Sequence, residues 1–224
     1  MPAPYDQEAD EPTRPGGVSS VTTAFDSEEA CWRFLDRKSP EELIEIFANT
    51  DPLRIVERCG RFLWDEGLFM EVDRLVEQAS CHIAYRCALR PEDSSLDEWL
   101  HECIDHSALE ICRNDMVMLH KAQEGKVQPW APAHVFIRDA FQHDEIGALR
   151  VCSAFNSQSR RERRAFFALC MDKLGVEECL EAGFGPPEWL RETCVKSIDM
   201  IIGLKPHPEL ELYDDGDEEA EETT

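Results

Sequence analysis

Ser95-Leu96-Asp97-Glu98-Trp99-Leu100-His101-Glu102-Cys103-Ile104-Asp105-His106-Ser107-Ala108-Leu109-Glu110-Ile111 is the run that decides the fold. Ser95 followed three residues later by Glu98 has the spacing of a capping box, in which each side chain satisfies the other residue's free backbone N–H. Behind it, Leu96, Leu100, Cys103, Ile104, Ala108 and Ile111 recur at intervals of three and four, the period of one buried helical face. The pattern predicts a long helix reaching Leu119 or beyond and stopping at Glu124-Gly125.

The same grammar repeats on both sides. Ser39-Pro40-Glu41-Glu42 combines a capping box with a proline at the first helical position, and Leu43, Ile46 and Phe47 follow on one face. Glu28 to Asp36 predicts a short helix before it. Thr50-Asp51-Pro52 predicts a helix start, with Leu53, Val56, Phe62 and Leu63 inward and Gly67 as the stop, and Leu68 to Leu89 predicts a longer helix with Val72, Leu75, Val76, Ala79, Ile83 and Cys87 on one face. Beyond Gln128-Pro129-Trp130-Ala131-Pro132, which reads as a linker, helices are predicted over Ala133–Gln142, Glu145–Phe155, Arg160–Lys173, Val176–Ala182 and Glu188–Ile202. In the last of these, Leu190, Cys194, Ile198 and Ile201 form the expected buried stripe. No alternating apolar and polar run predicts a strand.

The expected fold class is therefore all-α: a helical bundle, then a C-terminal helix-turn-helix-like module, with disordered acidic termini. The boundaries are a disordered segment over 1–26, a helical module over 27–127, a linker over 128–132, a second module over 133–204, and an acidic tail over 205–224. The ends are rich in proline, glycine and acid, and too poor in large apolar groups to offset the entropy of ordering.

Charge is uneven. The net value is −24, with seven acids and one base over residues 1–29 and nine acids and no base over 207–224. Residues 30–206 then carry −9. That is no general nucleic-acid footprint, since neutralising phosphates supplies most nonspecific affinity. Apolar residues make up 42% of the chain, enough for a core, yet no run predicts a membrane span. The start has neither the basic nor the apolar part of a secretory signal, so the expected location is cytoplasmic, with no membrane partner.

Ten cysteines, at 31, 59, 81, 87, 103, 112, 152, 170, 179 and 194, form no CxxC pair. They read as reduced thiols, mostly packed as small hydrophobes. Cys81, His82, Cys87, His101, Cys103 and His106 fall on adjacent predicted helices, and His101 with Asp105 or Glu102 with His106 share a face. No HExxH pattern joins them, so no metal is assigned. No GxSxG, GxxxxGK[ST] or GxGxxG occurs, so no catalytic residue and no cofactor are assigned either, and the reading is non-enzymatic. Trp32, Trp64, Trp99, Trp130 and Trp189, at helical spacing, read as core anchors.

The last fifty residues carry the functional expectation. Asn156-Ser157-Gln158-Ser159 leads into Arg160-Arg161-Glu162-Arg163-Arg164-Ala165-Phe166-Phe167. The short Val176-Glu177-Glu178-Cys179-Leu180, the turn Gly183-Phe184-Gly185-Pro186-Pro187 and a final amphipathic helix follow. This order is that of a helix-turn-helix. The stretch from Phe155 to Ile202 resembles the C-terminal promoter-reading region of bacterial sigma factors, especially the extracytoplasmic-function class. The resemblance implies a transcription regulator whose partners are core RNA polymerase and promoter DNA. It makes Glu188, Arg191, Glu192 and Lys196 the candidate DNA contacts. Arg160, Arg161, Arg163 and Arg164 become the candidate backbone or polymerase patch.

A second reading rests on charge. An acidic helical protein with no DNA role suits an adaptor or inhibitor that binds a basic protein partner, because an acidic surface steers cations toward it. The two separate on one feature. A regulator exposes positive potential over Arg160–Arg164 and Arg191–Lys196, whereas an adaptor exposes an apolar groove elsewhere.

Overall fold

The computed structural model describes residues 27–91, 94–124 and 135–203. Every regular element among them is helical: α1 (Glu28–Leu35), α2 (Pro40–Thr50), α3 (Ile55–Glu66), α4 (Val72–Arg86), α5 (Leu96–Gln123), α6 (Val135–Ala140), α7 (Glu145–Asn156), α8 (Arg160–Phe166), α9 (Val176–Glu181) and α10 (Pro187–Ile202). The protein is all-α. The expected linker at 128–132 and the expected disordered ends lie outside the described residues. No described helix is long and apolar enough to cross a membrane.

The starts follow from local chemistry. Ser39, Ser95 and Ser159 accept from the backbone N–H groups of Glu42, Glu98 and Glu162, and each glutamate accepts in return from its serine's N–H. Asp144 caps α7 by accepting from Gly147 N–H at 2.6 Å. Helix α3 departs from expectation, and its Val56, expected inward, is 48% exposed. It begins at Ile55, not at Pro52, because Asp51 and Arg54 take left-handed backbone angles (φ 39° and 54°) that make a turn first. The Asp51 carboxylate still caps the helix, accepting from Ile55 N–H at 2.5 Å and Val56 N–H at 3.1 Å.

Leu68, Phe69 and Met70 also differ from expectation. They precede α4 instead of opening it, and all three are buried. Their place is explained by where Phe69 goes. The first core, built on α1 to α5, buries Leu35, Leu43, Ile55, Leu75, Ile83 and Leu100 and packs Trp32 against Trp99 at 4.9 Å. The second core holds Ile137, Phe155, Phe166, Phe167 and Ile201, and among the described residues Phe69 is its one member from before α5. Its ring lies 4.5 Å from Phe155, 5.2 Å from Phe167 and 6.1 Å from Phe166. A helical turn there would carry this side chain away from α7 and α8.

Polar groups fix the insertion. The Asn156 carboxamide accepts from Phe69 N–H at 2.9 Å and donates to Phe69 C=O at 3.0 Å, satisfying the irregular backbone from both sides. Arg163 Nε donates to Glu66 C=O at 3.1 Å. Gly67, at φ 62°, lets α3 end against α8, since a Cβ there would lie 2.9 Å from the Arg163 backbone. The two predicted modules are thus interlocked among the described residues.

A smaller cluster of Ala165, Ala168, Cys179 and Leu190 closes α8, α9 and α10 together. Between α8 and α9 the helix widens into a π-turn over Phe167–Met171. Seven cysteines are buried, Cys112 is half-buried, and Cys81 and Cys170 are exposed, and no disulfide joins any of these ten. Burial pushes the Cys59 thiol up to about 12 and Cys103 to about 11, so these stay protonated. Trp64 is a correction to the core-anchor expectation: it is 45% exposed, with its ring edge-on to Phe167 at 5.5 Å. Trp130 lies outside the described residues.

Candidate functional site

Helices α8, α9 and α10 follow one another along the chain, and most of the cations expected in contact patches are engaged by neighbouring groups of the fold. Arg163, expected in a contact patch, is mostly buried instead, and its guanidinium donates to the carbonyls of Asn156 at 3.2 Å and Gln158 at 2.6 Å. Its position follows from the α3–α8 contact, which brings the Glu66 carbonyl to it. Arg160 pairs with the Glu66 carboxylate. Arg161 donates to Phe184 C=O at 2.8 Å and lies over the Trp189 ring at 4.4 Å. Arg164 lies over the Phe184 ring at 5.5 Å. The last two therefore hold the turn before α10.

Lys196 donates to Glu162 at 2.9 Å. The Ser159 hydroxyl first, and then Lys196, hold the Glu162 carboxyl down at about 2. Glu188, Arg191 and Glu192 are exposed and make no ion pair among the described residues. Of the expected DNA contacts, Arg191 is the one cation left without an acidic partner there. The outward face of α10 instead shows Val195, Ile198 and Ile202, at 52%, 39% and 41% exposure. Ile198 was expected inward. Thr193 and Ser197 take the inner positions, and Ser197 donates to the buried Gln158 at 3.2 Å, which sets the rotation of the helix.

Sequence periodicity missed a second region, where α4 crosses α5. Arg74 and Asp115 clamp the two helices through paired hydrogen bonds of 2.9 and 2.5 Å, largely out of solvent. Beside that clamp runs a groove of about 720 Å³. Ile111, Val117, Met118 and Val135 give it an apolar lining, and Glu71, Asp73, Glu77 and Lys121 stand on its rim. Glu71 accepts from Val135 N–H, which ties the start of α6 to α4. Asp73 and Glu77 make no ion pair among the described residues. No short motif marks such a groove; the signal available in the sequence was Met116-Val117-Met118, apolar residues running on past the inward stripe of α5.

At one end of the α4–α5 seam the structure gathers His82, His106 and Glu110, where the sequence suggested His101 with Asp105 or Glu102 with His106. His101 instead meets Phe62 edge-on at 5.5 Å, and Cys87 and Cys103 are buried. Burial first, then His106 and Arg86, lower the His82 pKa, with Glu110 opposing. Elsewhere, Cys170 on the π-turn meets Cys194 of α10. The hydrogen bond between the thiols brings Cys170 down to about 7 and pushes Cys194 up.

Comparison of the chain with protein-family models, with curated proteins and with solved structures gives no match. Function must therefore be read from the residues themselves.

Proposed function

We propose that this protein is a non-catalytic helical adaptor that docks a cationic, amphipathic helical segment of a protein partner in the α4–α5 groove. The observation that carries this is the groove itself: an apolar floor of Ile111, Val117 and Met118 beside the unpaired carboxylates of Asp73 and Glu77. An amphipathic helix laid into such a groove buries its apolar face and leaves its flanking cations over the acids. Val117 is 50% exposed, so apolar surface awaits cover on this face of α5. The charge of −24 over the whole chain steers cationic partners and repels anionic ones.

The test is a titration of two labelled peptides, a Leu/Lys amphipathic helix and its Leu/Glu counterpart, read by fluorescence anisotropy. The basic peptide is expected to bind saturably, to weaken as salt rises, and to lose at least ~10-fold in affinity with Val117→Glu, roughly the cost of placing a charge in an apolar contact. Equal behaviour of the two peptides, or indifference to Val117→Glu, would defeat the reading.

A second reading keeps the sigma-factor-like role. The succession of α8, α9 and α10 after a Ser159-capped start favours it. Because Arg160–Arg164 largely serve the fold and α10 presents apolar and acidic groups, a contact with core RNA polymerase suits this surface better than a contact with promoter DNA.

A further inference from the structure

We propose that His82, His106 and Glu110 form a mononuclear binding site for a late first-row divalent ion such as Zn²⁺, clipping α4 to α5. The inference is independent of the docking reading and needs no occupant in the groove. One imidazole comes from α4, and the other comes from α5 with a carboxylate one turn on, so three ligand atoms converge within 4.8 Å of one another. Two nitrogens and one oxygen, with water in the remaining position, is a donor set that such ions take, whereas Ca²⁺ and Mg²⁺ prefer oxygen alone.

Each helix also supplies an orienting bond behind a ligand. Ser107 gives its one hydroxyl proton to Cys103 C=O at 2.7 Å, so at 3.4 Å from His82 Nδ1 its oxygen is the acceptor. Nδ1 then carries the proton and Nε2 keeps a lone pair for a metal. Gln78 donates to Glu110 Oε2 at 3.0 Å, which fixes that carboxylate and leaves Oε1 to ligate. Outer bonds of this kind hold metal ligands in place. His106 makes no hydrogen bond among the described residues; its partner there is the His82 ring, edge-on at 4.6 Å.

One feature opposes binding and sharpens the test. The exposed Arg86 guanidinium lies 3.3 Å from His82 Nε2, on the lone pair that a metal would use. It must swing aside, which a long side chain at a helix end can do. Removing it should therefore strengthen binding, an outcome that no merely structural role for the cluster predicts.

The experiment is calorimetric titration of the full chain with Zn²⁺, in reducing, non-chelating buffer, with Co²⁺ as a spectroscopic probe. One saturable site is expected, weakened at least ~10-fold by His106→Ala and by Glu110→Gln. Arg86→Met should tighten it several-fold. His106 and Glu110 are exposed, so unchanged helical circular dichroism is expected of both variants. Absence of saturable binding would overturn the proposal. So would affinity unchanged by His106→Ala, or the intense thiolate-to-cobalt charge transfer that marks capture by cysteines instead.

Discussion

Glu162 shows how far a single residue can be read from sequence. Its capping role with Ser159 is a matter of spacing three along the chain, and the fold carries it out. Its bond to Lys196, 34 residues away, is tertiary and had no local sign. Together the two partners hold the folded carboxyl at about 2, below the value of an unfolded glutamate. A depressed folded pKa contributes stability that is fully present above the unfolded value and is lost as pH falls through the folded one. Urea denaturation of wild type and Glu162→Gln across pH should therefore show their largest difference near neutrality, shrinking from about pH 4.5 toward pH 2. A difference that stays constant over that window would remove the assigned cause. The same locality explains Phe69. The sequence places it in a helix, because neither the Phe155–Phe166–Phe167 cluster nor the Asn156 clamp leaves a mark near residue 69.

At the scale of elements, caps made the helix starts legible, and tertiary packing decided the rest. Helices α2, α5 and α8 begin where their serine–glutamate pairs require. Helix α3 slipped because Asp51 caps from four residues back, across a left-handed turn. The rotation of α10 was misjudged at Ile198 because a buried glutamine, Gln158, draws Ser197 inward. Burial mattered more for the arginines. Four of them in five residues read as one surface patch, but contact with α3 turns Arg163 inward and gives Arg160 to Glu66. If α8 to α10 contact core RNA polymerase, the residues to change are Arg160 and Arg164, since Arg163→Glu would bury an unpaired acid. Capture of core polymerase by the chain, reduced by Arg160→Glu with Arg164→Glu, is the expected result of that reading. Failure to capture at low salt would leave the helix order without a transcriptional meaning.

For the whole molecule, the interlock is the property least visible in the letters. The proline-rich segment at 128–132 reads as a linker and leaves open how the helices on either side of it meet, and Phe69, Asn156, Gly67 and Arg163 join the two cores directly. Unfolding should therefore be a single cooperative transition, coincident by tryptophan fluorescence and circular dichroism. Phe69→Ala should cost about 3–5 kcal/mol, the usual loss for a buried aromatic ring, and should separate the two probes. A loss under about 1 kcal/mol with coincident transitions would mean that Phe69 does not couple the cores. The α4–α5 groove is also framed by packing, since α5 lies against both α4 and α7. A preformed groove loses less entropy on binding.

The most direct measurement of the docking account is amide hydrogen exchange on the full chain, with and without the basic amphipathic peptide. New protection confined to α4, α5 and the start of α6, over the stretches that include Asp73, Glu77, Val117 and Val135, is the predicted result. Protection centred on α8 to α10, with α4 and α5 unchanged, would contradict it and place the working surface of the protein at the C-terminal helices.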